Sequence, residues 1–112
     1  MAYGAFADPR VTTVGIWNSG LLQPDEQIFT GLHSSVIIVT GGESDIAYAH
    51  PSVGHGGTHY EDNGGAFGVA AVAWLKWQLM NDMGAAGKGY FVGNGCRLCA
   101  DAKWQAASRT LR

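Results

Sequence analysis

The chain has 112 residues, which fits one domain with a modest core. Apolar residues make up 46% and charged residues only 14%, against the roughly one quarter usual for a globular domain, and the net charge is −2. This balance excludes the basic footprint of a nucleic-acid binder or an anionic-membrane binder, and the longest apolar run, Phe67 to Leu75, stops at Lys76, too short to span a bilayer.

Residues Met1 to Ala7 are small and apolar, and read as the end of a helix; no secretory signal opens the sequence at Met1, so localisation is left open. Asp8-Pro9-Arg10 interrupts, because proline removes a backbone donor and restricts its predecessor. Val11 to Trp17 is β-branched and aromatic and predicts a strand, ended by Asn18-Ser19-Gly20. Leu21 to Leu32 is a connector, with a short helical turn expected around Glu26 to Phe29. Ser34 to Thr40 predicts a second strand, apolar on both faces as a buried parallel strand would be.

The segment from Gly41 to Tyr60 concentrates the chemistry. It holds Glu43, Ser44, Asp45, His50, His55 and His59 among several glycines. An acid just after a strand can orient a histidine, fix its tautomer and leave it poised as a general base, which assigns Asp45 and His55 as a candidate pair. Against this stands the plainer reading of polar residues that hold a turn. A metal site built from His50, His55 and His59 with Glu61 or Asp45 is the alternative, since zinc takes imidazole and carboxylate ligands, although the spacing is not H-E-x-x-H.

Asp62-Asn63 offers a helix N-cap, and Phe67 to Met80 predicts a helix with Ala70, Ala71, Trp74, Leu75 and Gln78 along one side. Gly84 is the expected C-cap, Tyr90 to Val92 reads as a short extended piece, and a helical turn is expected from Asp101 to Ala107. Cys96 and Cys99 form a C-x-x-C with no second thiol pair, which favours a local disulfide or free thiols over structural zinc or redox catalysis. No G-x-G-x-x-G or phosphate-loop pattern occurs, and no cofactor is expected.

Several of these segments together resemble a known family. Asp8-Pro9-Arg10-Val11 through Ser19-Gly20, Gly41-Gly42-Glu43-Ser44-Asp45-Ile46-Ala47-Tyr48, Val53-Gly54-His55-Gly56-Gly57-Thr58 and Asn63-Gly64-Gly65 through Trp77 are similar to the carboxyl-terminal part of secreted microbial α/β-hydrolases of the esterase/lipase type. The resemblance implies Asp45 as the triad acid, His55 as the triad base and a small-molecule ester or lactone as substrate. It also places Met1 within the helix that follows the nucleophile. The family's serine elbow, G-x-S-x-G, does not occur here, which leaves Ser44 and Ser19 as the serines to consider. Between Asp45 and His55 the chain is also too short for the parallel crossover of about ten to twelve residues that the family inserts there. At most a stub near Ser52-Val53 replaces the last strand.

The expected fold is therefore α/β: a truncated α/β-hydrolase fold over residues 1–112, with a minimal parallel sheet of two to three strands and one long packing helix. So small a sheet leaves edges and an apolar face uncovered, which predicts a homo-oligomer. The expected function is an ester or lactone hydrolase remnant, with the metal-binding histidine segment or a non-catalytic binding fragment as alternatives.

Overall fold

The computed structural model describes residues 8–17, 33–39 and 57–104. Two strands form the sheet. β1 (Thr13–Trp17) and β2 (Ser35–Val39) pair in parallel, with Thr13 opposite Ser35 and Trp17 opposite Val39. Both are rich in β-branched side chains, which suit a pleated, half-buried surface.

Polar contacts fix how the two strands begin. The Asp8 carboxylate accepts from the Arg10 amide at 2.9 Å and from the Arg10 guanidinium at 2.7 Å. The Ser34 hydroxyl donates to the Val11 carbonyl at 2.6 Å, and His33 Nε2 lies 3.0 Å from the Asp8 carbonyl oxygen and 3.1 Å from that of Val11. One N–H on that nitrogen is shared between two acceptors, so the residues before β2 are tied to those before β1 and the parallel register is set from this end.

The expectation of a second strand buried on both faces is corrected. Val39 is buried, but Ile38 is 48% exposed. Among the described residues β2 pairs only with β1, and the helix packs against one side.

That helix, α1 (Gly65–Met80), is long and rich in Ala and Leu, both strong helix formers. Its start differs from the sequence expectation. Asp62–Gly64 forms a 3-10 turn in which Asn63 takes a left-handed conformation (φ 56°), and neither acid nor amide caps α1. The cap comes from Thr58. Its hydroxyl, buried within the fold, accepts from the Phe67 amide at 2.9 Å and donates to the Gly64 carbonyl at 2.5 Å. One side chain thus satisfies an orphan donor of the first turn and locks the preceding turn onto it. The C-cap is Asn81, left-handed at φ 54°, with the Lys76 carbonyl accepting from the Asn81 and Asp82 amides. Gly84, the expected cap, instead serves the following turn, where its amide donates to Asp82 Oδ1 at 2.8 Å.

The buried side of α1 is Phe67, Ala70, Ala73 and Trp74. Leu75, expected on that side, is 47% exposed. Small residues at 70 and 73 admit a second layer: α2 (Lys88–Phe91) and α3 (Arg97–Ala100) bring Tyr90, Cys96 and Leu98 onto the two alanines, with Trp17, Phe91 and Trp104 packed around them. Tyr90 to Phe91 is therefore helical where β-propensity predicts an extended piece. Packing on α1 decides this, with Phe91 set edge-on against Trp74 at 5.7 Å. The tail differs too. A helical turn falls on Arg97–Ala100, opened by Cys96 Sγ accepting from the Cys99 amide at 3.0 Å; of the turn expected over Asp101 to Ala107, Asp101 to Trp104 is non-helical, closed by Trp104 N–H donating to the Asp101 carbonyl, and the rest lies outside the described residues. Cys96 and Cys99 are joined as a disulfide across this turn.

One polar chain ties helix to sheet. Trp74 Nε1 donates to Thr13 Oγ1 at 2.8 Å, and Thr13 Oγ1 donates to the Ser35 carbonyl at 3.2 Å. A tryptophan that is otherwise core thereby holds α1 in register with both strands.

Candidate functional site

Asp45, His55, Ser44, Ser19 and His50 all lie outside the described residues, as does the stub at Ser52-Val53. The described fold supplies what flanks them. The segment leaves the sheet at the buried Val39 and rejoins described structure just before the buried Thr58, the residue that caps α1. In the sequence, Asp45 and His55 thus fall between a parallel strand and a capped helix.

His59 and Glu61, the remaining members of the candidate metal set, are both exposed. The His59 ring stands edge-on to Phe67 at 5.6 Å. Among the described residues no group of three or more His, Cys, Asp and Glu side chains converges as a metal site.

A second feature was not legible in the sequence. An open groove of about 310 Å³ runs along α1 and is bordered by the turn at Ala85-Ala86, by α2 and by α3. Val69, Val72 and Ala73 form an apolar floor, while Asn63, Lys76, Tyr90 and Arg97 are the polar residues that line it. The signal that could have found it is Lys76, the one charged residue in the sixteen of α1. The Tyr90 hydroxyl is pushed above the ordinary tyrosine value chiefly by burial, with the Arg97 charge pulling it down and Asp101 pushing it up, so it remains a proton donor at neutral pH.

The described residues define a small mixed α/β protein with a two-stranded parallel sheet and helices packed on it. Comparisons with protein-family models, with curated proteins and with solved structures find no match for the chain. No helix among the described residues is long and apolar enough to cross a membrane.

Proposed function

We propose that the protein is a hydrolase of the α/β-hydrolase kind acting on a small-molecule ester or lactone, with His55 as general base and Asp45 as the group that orients it. The observation that supports this reading is that Asp45 follows shortly in the sequence after Val39, the carboxyl end of the parallel strand β2, and open α/β sheets collect their chemistry beyond such strand ends. With no serine elbow, the nucleophile in this reading is water, or Ser44 or Ser19 in an unconventional role. For water, the imidazole takes one proton as hydroxide adds to the ester carbonyl carbon. Collapse of the tetrahedral intermediate expels the alkoxide, which takes that proton back and leaves as the alcohol.

The test is hydrolysis of a short-chain aryl ester by pure protein, with His55→Ala and Asp45→Ala alongside. The expected result is a loss of about a hundredfold in kcat/KM for His55→Ala and a smaller loss for Asp45→Ala. Activity indifferent to both substitutions would overturn the reading and leave a non-catalytic binding fragment. A second reading, metal-assisted hydrolysis by His50, His55, His59 and Glu61, draws on the exposure of His59 and Glu61 at the downstream end of the segment. It requires activity that chelator removes and zinc restores.

Self-association belongs to the same proposal. Ile38, Leu75, Leu79, Met80 and Met83 are all about half exposed or more, and burying such aliphatic surface is the main driving force for association. A dimer is the expected species by size-exclusion chromatography with light scattering, and Leu79→Glu combined with Met83→Glu is expected to give monomer. A wild-type chain that stays monomeric at high concentration would refute it.

A further inference from the structure

The groove along α1 has the make-up of a small-ligand site rather than a packing defect. Its volume, about 310 Å³, is at the lower end of ligand pockets, and its lining is apolar with a few polar groups, as such pockets generally are. Lys76 on α1 and Arg97 on α3 both line it, and neither forms an ion pair among the described residues, where Asp8 pairs with Arg10. The acids closest in the chain, Asp82 and Asp101, pair with backbone amides and not with either cation, although the Asp101 charge is felt at the Tyr90 hydroxyl. Asp82 Oδ1 accepts from the Gly84 amide at 2.8 Å, and Asp101 Oδ1 accepts from the Lys103 amide at 2.9 Å. Two cations that form no ion pair among the described residues, set beside an apolar floor, leave positive charge that an anion with an apolar body would balance.

We infer that this groove binds an amphiphilic monocarboxylate, its carboxylate held between Lys76 and Arg97 and its hydrocarbon part laid along Val69, Val72 and Ala73. Arginine suits the carboxyl end because its planar fork matches a carboxylate in two parallel hydrogen bonds, and lysine adds a point charge from the other side. Tyr90, protonated, adds a neutral donor at the same end. Asn63 and Gly68 also line the groove, and Gly68 lies so close to the Asn63 carbonyl that a side chain there would overlap it. The apolar floor argues for a hydrocarbon tail over a bare inorganic anion, since phosphate would leave Val69 and Val72 uncovered. Binding in this groove needs no ester hydrolysis.

The experiment is isothermal titration of the full chain with octanoate, octanol and inorganic phosphate, repeated on Lys76→Gln/Arg97→Gln and on Val72→Asp. Lys76 is half-buried, while Arg97 and Val72 are exposed, and circular dichroism verifies that each variant keeps its helix content. Octanoate is expected to bind at one site and to shift the Tyr90 ring resonances in NMR spectra. The double variant is expected to weaken it about tenfold, the scale of losing charge-assisted hydrogen bonds in a partly solvated site. Val72→Asp, which sets a negative charge in the floor, is expected to abolish binding. Octanol and phosphate, each with half of the chemistry, are expected to bind at least about tenfold more weakly than octanoate. Octanoate binding unchanged in the double variant, or octanol or phosphate binding as tightly as octanoate, would overturn the proposal.

Discussion

Replacing Phe67 by alanine is expected to cost about 3–5 kcal/mol of folding free energy, read as a fall in the urea midpoint by circular dichroism. Phe67 is 3% exposed, and three rings from three separate stretches meet it: Trp17 of β1 at 5.9 Å, His59 ahead of the helix at 5.6 Å and Trp104 near the end of the described chain at 6.0 Å. Truncating it removes apolar burial and leaves a void that no single neighbour can fill, because its walls come from elements held by different contacts. A domain of this size has about 5–15 kcal/mol of stability in total, so the loss would be a large share of it. Phe67→Leu, which keeps most of the volume, is expected to recover more than half. A cost below about 1 kcal/mol for Phe67→Ala would mean that the three rings close over the gap, and would remove Phe67 from its place as the point where strand, turn and tail are joined.

Gly68→Ala is expected to destabilise the protein by up to about 3 kcal/mol, although the same change inside a helix ordinarily stabilises it by about 0.4–1 kcal/mol. The usual gain comes from restricting the unfolded chain and from alanine's helix propensity. Here the added methyl would run into the Asn63 carbonyl, which belongs to a 3-10 turn that Thr58 holds against the first turn of α1. Backbone cannot rotate out of the way as a side chain tip can, so either the turn or the helix start must shift. Urea unfolding of the variant beside wild type decides the sign. A stabilised Gly68→Ala would show that the 61–64 turn gives way freely.

Phe67 and Gly68 occupy different parts of one junction. Phe67 tests what is packed at the start of α1, and Gly68 tests how closely the preceding turn is pressed onto it. Thr58 belongs to both, since its hydroxyl accepts from the Phe67 amide and donates to the carbonyl of Gly64 in that turn.

The sequence by itself determined the elements whose cause is local. Val11 to Trp17 and Ser34 to Thr40 are runs of β-branched residues, and the structure has strands at Thr13–Trp17 and Ser35–Val39. Phe67 to Met80 carries its helical preference in its own side chains, and α1 differs by two residues at its start. Asp45 and His55 were singled out by residue type and by resemblance alone. Tertiary structure decided what depends on residues distant in the chain. Asp62 looked like the cap of α1, yet Thr58 supplies it, because the turn through Asn63 and Gly64 folds that hydroxyl back over the first helical turn. Tyr90 and Phe91 have β-propensity, yet packing on Ala70, Ala73 and Trp74 makes them helical. Lys76, Tyr90 and Arg97 share no spacing that a sequence pattern could detect. They line one groove because three helices converge there, and a local preference of well under 1 kcal/mol per residue cannot specify such a meeting.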